Sequence, residues 1–242
     1  MLIVGDLQQK FLHLKTVSYS YYEVYTNTQR AFAGIGFPYG ADEDAAYIIT
    51  WLELYNLKGI DLFCEFVEKF YHQYDYKIDV SNNEKKIDLK NKSNLMTGPG
   101  VIDYLVSKFN INNENTYILT NCYDPIFLIP ILSKYIKKDI YSKILKDNAI
   151  LCLIDKEKIS LNKKLFDNKI NNSIKIILSN KSNSKKKLDI DITLKDSIKL
   201  LSVGLNPNQN NWNKVSELAF QSFVPESEQS RSKGAGGGDA ND

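Results

Sequence analysis

Apolar and polar positions alternate most regularly over residues 20–57. Tyr21, Val24, Tyr25, Thr28 and Phe32 recur at the spacing of one helix face, and Ala45, Ile48, Ile49, Leu52 and Tyr55 repeat it. Between the two stripes, Gly34 and Gly36 can take the positive φ that ends a helix, and Pro38 blocks continuation. Asp42, Glu43 and Asp44 then fall in the first turn of the second helix, where acids complement the helix dipole. The pattern predicts a helical hairpin with a glycine–proline–aromatic corner. After the Lys58-Gly59 stop, Phe63, Val67, Phe70 and Tyr74 form the stripe of a third helix starting near Asp61.

Beyond Tyr76 the period shortens. Lys77–Val80 and Ile87–Leu89 alternate like strands about a polar turn at Ser81–Glu84. Thr97-Gly98-Pro99-Gly100 reads as a tight turn before a short helix at 101–106. Tyr117–Thr120 is a buried strand ending in a loop at 121–125, and Phe127–Ile136 is an apolar helix or a run broken at Pro130. Ala149–Ile154 carries no charge and reads as a central strand. Ser173–Leu178 and Leu188–Leu194 alternate, as strands with one wet face do, and Lys185-Lys186-Lys187 between them fits a hairpin tip. Helices follow at 196–203 and 212–223, while Leu2–Val4 and Phe11–Leu14 are short candidate strands. The fold class is mixed α/β: one domain over 1–242, with an N-terminal helical hairpin on a mixed sheet and flanking helices. The polar stretch 77–94 is the candidate sub-boundary.

Composition narrows the function classes. The formal charge is +2 and the lysines are interspersed with acids, so no basic stripe points to nucleic acid. No run approaches the roughly 20 apolar residues of a membrane span, and the N-terminus lacks the layout of a secretory signal. Three cysteines without a CxxC pair suit a reducing, cytoplasmic setting. Lysine is abundant, yet Arg30 and Arg231 are the only arginines. Where lysine serves for charge alone, a retained guanidinium suggests its planar two-point grip on a carboxylate or phosphate; chance is the alternative.

The chain closes on Val224-Pro-Glu-Ser-Glu-Gln-Ser-Arg231-Ser-Lys-Gly-Ala-Gly-Gly-Gly-Asp-Ala-Asn-Asp242. By composition this is a frayed terminus. The functional reading is an anion receptor: amides of Gly234, Gly236, Gly237 and Gly238 turned inward, with Arg231, Lys233, Ser227 and Ser230 around them. Taken with the corner Gly36-Phe-Pro-Tyr-Gly-Ala-Asp-Glu-Asp-Ala-Ala46, this tail resembles a bacterial family, domain-of-unknown-function family 3726. That family has a Gly-x-Pro-Trp-Gly corner and a similar Ser-Glu-x-Ser-Arg, Gly-Ala-Gly, Asp-Asn-Asp ending. Tyr39 stands where the family more often has tryptophan, and Ala240 interrupts the ending. The resemblance implies an ordered tail folded back with a shared purpose, and brings no activity with it.

The remaining candidates each have a bland counterpart. His13 and His72 lie at no metal-ligand spacing, so no metal and no cofactor is expected, and His72 reads as a half-buried helix-end residue. Cys122 follows a strand, but an inert buried thiol is the simpler account. The expected function is binding of a small anionic metabolite. Arg231, Lys233 and the glycine amides hold the anion, Tyr39 and Pro38 wall the pocket, and Arg30 is a second anchor or a clamp on Glu226 or Glu228. For a hydrolytic or isomerising step the acid–base candidates are Glu43 and Asp239. The competing expectation is a non-catalytic subunit or homo-oligomer whose tail docks into a partner chain.

Overall fold

The computed structural model describes residues 18–78, 80, 84–166, 172–182 and 187–223. The candidate strands at Leu2–Val4 and Phe11–Leu14, most of the Ser81–Glu84 turn, and Lys185 and Lys186 of the expected hairpin tip lie outside them. The described fold is mixed α/β, as the periodicity predicts, with a seven-stranded sheet.

Helices α1 (Tyr21–Gly34) and α2 (Ala41–Leu54) form the expected hairpin. Ser20 caps α1 by accepting the Glu23 N–H at 3.1 Å. Gly36 turns the chain at φ +94°, the Phe37 N–H returns to Phe32 O, and Pro38 O accepts the N–H groups of Ala41 and Asp42. Asp42 is buried in the corner, its carboxylate accepting from Gly40 N–H at 2.8 Å and Gln29 Nε2 at 3.2 Å. α3 (Gly59–Phe70) follows at close quarters, because a Cβ on Gly59 would sit 2.0 Å from Ile49 O. Buried Glu53 caps α3 by accepting the Ile60 N–H at 2.9 Å, and burial raises its proton affinity.

The last helix, α7 (Gln209–Phe220), returns to this layer and packs on α1 and α3. Tyr19 and Leu205 exchange backbone hydrogen bonds at 2.9 and 2.8 Å, and Tyr19 packs on Trp212 in a tilted pair with ring centroids 4.8 Å apart. Helices α4 (Asn94–Ser107) and α5 (Leu128–Lys134) pack against α2, and α5 also packs against the sheet.

The sheet comprises β1 (Lys86–Asp88), β2 (Asn115–Cys122), β3 (Tyr141–Lys146), β4 (Ala149–Ile154), β5 (Lys158–Leu161), β6 (Asn172–Ser179) and β7 (Ile190–Thr193). Their order is β1-β2-β6-β3-β4-β5-β7, parallel only between β1 and β2. β4 is an interior strand with Leu151–Ile154 buried, as its uncharged sequence predicts. Ile174, Ile176 and Leu178 bury one face of β6 while Ser173 and Lys175 are exposed, again as the alternation predicts.

Three local expectations are corrected. β6 and β7 do not form a hairpin: β6 lies between β2 and β3, and β7 pairs with β5 at the far edge. The tight hairpin joins β3 to β4 through Asp147 and Asn148 at φ 47° and 63°, a pair of positive values suited to a two-residue turn. Thr97–Gly100 is not a turn but lies inside α4, which begins at Asn94 because Ser93 and Asp124 cap it there. Residues 77, 78 and 80 form no strand: the Lys77 N–H donates to Asp75 Oδ1, and its carbonyl accepts Lys92 Nζ. A short helix, α6 (Ser197–Val203), precedes α7.

Candidate functional site

An aromatic ladder runs from the hairpin corner to a cavity wall. Buried Phe37 sits 4.7 Å from Phe32 and 4.7 Å from Tyr74 by ring centroids, and Tyr74 sits 5.9 Å from Tyr76. Tyr74, Tyr76, Lys77, Ile78 and Val80 line a cavity of about 640 Å³ together with Met96, Thr97, Pro99, Gly100 and Tyr104 of α4. Ala41 and Asp44, in the first turn of α2, complete it. The segment after α3 is tied to the start of α4 by an Asp75–Lys92 ion pair at 2.6 Å and by the Asp75 N–H on Met96 Sδ at 3.3 Å. The lysine and the Lys77 N–H hold the Asp75 carboxyl below its ordinary range. Asp44 is engaged by Lys134 at 3.7 Å. The cavity is thus largely apolar and aromatic, with one lysine on its lining. Its volume falls within the roughly 300–1,000 Å³ of small-molecule sites.

The sequence-predicted site residues are scattered relative to this cavity. Ser227, Ser230, Arg231, Lys233, Gly234, Gly236, Gly237, Gly238 and Asp239 lie outside the described residues, as does His13. Arg30 is exposed on α1, its guanidinium 5.2 Å from the ring of Phe223, where the described chain ends. Tyr39 is 90% exposed at the tip of the corner. Glu43 lines a shallower groove with Tyr21, Tyr25, Asp44, Tyr47 and Lys134. Burial pushes the hydroxyls of Tyr21 and Tyr47 up to about 12, so both are neutral at ordinary pH. His72 is exposed at φ +53°, outside α3, instead of half-buried at its end.

A second cluster, at the end of β2, has no pattern in the sequence to announce it. Asp124 is buried and accepts the Ser93 hydroxyl at 2.5 Å and the Asn94 N–H at 2.6 Å, so it staples the loop after β2 to the start of α4. Desolvation raises its carboxyl to about 6 despite these bonds. Asn94 Nδ2 points at Cys122 Sγ, 3.2 Å away, and Asn94 Oδ1 has no partner. Burial pushes the Cys122 thiol up to about 12, so it is an inert group, as its apolar surroundings dictate. Among the described residues no group of three or more His, Cys, Asp or Glu is placed to hold a metal ion. None of their helices is long and apolar enough to cross a membrane.

No curated protein and no solved structure matches the chain. A family model does, and it takes in the corner, α1 to α3 and β1 but not the tail. Over residues 19–96 the chain matches the family described as protein of unknown function (DUF3726), the one its corner motif resembles.

Proposed function

We propose that this protein binds a small metabolite with a flat apolar body and one anionic group in the cavity between the start of α2 and α4. The observation that carries the reading is the lining itself: Tyr74, Tyr76 and Tyr104 with Met96 around a volume of about 640 Å³, and Lys77 among them. Aromatic rings and a thioether supply dispersion contacts to a planar ligand, and a single ammonium selects a monoanion such as a carboxylate. Binding is what this arrangement supports. The two buried carboxyls with raised proton affinity, Glu53 and Asp124, are occupied as helix caps and line no part of the cavity. In this reading the tail residues from 224 onward, including Arg231 and Lys233, add anion contacts to the bound molecule.

The test is a thermal-shift screen of aryl and indolyl carboxylic acids on the full chain, followed by calorimetry on Lys77→Gln and Tyr104→Ala. A ligand at about 100 times its Kd stabilises by roughly 2.7 kcal/mol. Lys77→Gln weakens the carboxylates while leaving their neutral amides unchanged. If no acid shifts the melting temperature, or both variants bind as the wild type does, the reading fails.

One observation favours a second reading, a subunit whose tail docks on a partner. Phe220 is 74% exposed and Phe223 51% exposed, with rings 5.9 Å apart, at the point where α7 runs out beside Arg30. Truncation after Phe223 separates the two. Loss of ligand binding with unchanged assembly supports the first; altered assembly with binding retained supports the second.

A further inference from the structure

A second groove shares Tyr47 and Lys134 with the one that Glu43 lines, and its chemistry differs from that of the large cavity. It encloses about 360 Å³ and is floored by Tyr47, Trp51, Ile136 and Leu194, with Lys134, Lys137 and Lys156 at its sides. Trp51 is only 7% exposed, and its ring packs against that of Tyr55 at 4.6 Å with a 50° tilt. The lysines come from two separate places, the end of α5 with the turn after it and the loop between β4 and β5.

Asp44 offsets the charge of one groove lysine, Lys134, while other acids nearby have partners elsewhere. Asp44 pairs with Lys134 at 3.7 Å, and Glu157 with Lys195 at 3.7 Å. Asp155 is buried and accepts the Lys156 N–H at 2.6 Å and the Ser182 hydroxyl at 2.8 and 2.9 Å. Asp139 accepts from Tyr141. Lys137 and Lys156 form no ion pair with any described residue. With Lys134 already paired to Asp44, the groove offers a ligand two ammonium groups, Lys137 and Lys156, beside an apolar aromatic strip, one more than a single carboxylate needs. It matches a dianionic phosphate attached to a flat ring.

From this geometry we infer that the Trp51–Lys137–Lys156 groove is a binding site for a phosphate monoester of an aromatic compound, of which a nucleoside monophosphate is the simplest example. The phosphate sits between Lys137 and Lys156, and the ring lies over the Trp51 and Leu194 side of the floor. This site is independent of the cavity proposed above, whose lining shares none of these residues.

The test is a titration of the full chain with AMP, followed by tryptophan emission and by calorimetry, with adenosine and inorganic phosphate as half-ligand controls. The chain has two tryptophans, and the other, Trp212, is buried on α7. The expected result is saturable AMP binding that alters Trp51 emission and is tighter than either half-ligand. Lys137→Gln and Lys156→Gln should each weaken it by about tenfold, the loss of one exposed charge-assisted contact. Both lysines are exposed, so the variants should melt as the wild type does. Trp51→Phe should abolish the emission change while calorimetric binding persists. The inference is overturned if AMP does not bind, if the lysine variants bind it unchanged, or if the emission change survives in Trp51→Phe. It is equally overturned if a single-stranded oligonucleotide binds where AMP does not, which would make the groove a nucleic-acid surface.

Discussion

Replacing Asp124 by asparagine isolates the energetic role of the carboxyl that starts α4. The folded carboxyl is raised to about 6 from an ordinary 3.8, because burial penalises its charge more than Ser93 and Asn94 relieve it. The folded chain therefore binds this proton more tightly than the unfolded chain does. Stability from the group is fully present below pH 3.8 and is lost as the pH rises through about 6. Over that interval the change amounts to about 3 kcal/mol, at 1.36 kcal/mol for each pH unit separating the two values. Asparagine does not titrate, yet it keeps the cap: Oδ1 accepts the Asn94 N–H, and Nδ2 donates to Ser93 Oγ once that hydroxyl turns. Urea unfolding of both proteins between about pH 4 and about pH 7 should show the wild type losing roughly 2.5 kcal/mol relative to Asp124→Asn, most of that change. Differencing the two curves removes every other titrating group. A difference that stays flat with pH would refute the assignment, and one that rises with pH would mean the carboxylate is stabilised by its caps.

Further predictions concern the hairpin and the thiols. Gly59→Ala places a Cβ 2.0 Å from Ile49 O and 2.8 Å from Glu53 N, both backbone atoms, so α3 must shift; we expect a loss of about 3 kcal/mol or more in denaturant unfolding. Phe37→Ala empties a site between Phe32, Phe66 and Tyr74 and should cost about 3–5 kcal/mol by the same assay. It should also weaken any ligand of the large cavity, since Tyr74 loses its support. Burial pushes the thiols of Cys64 and Cys122 up to about 11 and about 12 and raises Cys152 further. Ellman's reagent should therefore react with the folded protein far more slowly than with the urea-unfolded chain, and rapid reaction of any one thiol without denaturant would contradict its placement.

Much of the candidate site was out of reach of pattern reading. Tyr104 fell inside the expected helix at 101–106, but Met96 lay ahead of an expected turn, and residues 77–80 gave a strand-like alternation although the Lys77 carbonyl and amide are held by Lys92 and Asp75. A side chain that arrives from 15 residues away leaves no periodic trace. The same is true of Asp124, which caps a helix whose first residue lies 30 positions earlier in the chain. Trp51, Lys137 and Lys156 each looked ordinary alone, and only folding brought them to one groove.

From the sequence alone came what each segment does with its own two faces. Stripes at helical spacing placed α1, α2, α3 and α7, alternation placed β6 and β7, and glycine with proline placed the corner, because local burial and backbone sterics act within a few residues. Tertiary structure decided which strands became neighbours, whether Thr97–Gly100 turned or stayed helical, and which walls enclosed a cavity. An alternating strand pairs equally well with several partners. The choice among them rests on packing and hydrogen bonds between distant parts of the chain, which no local pattern encodes.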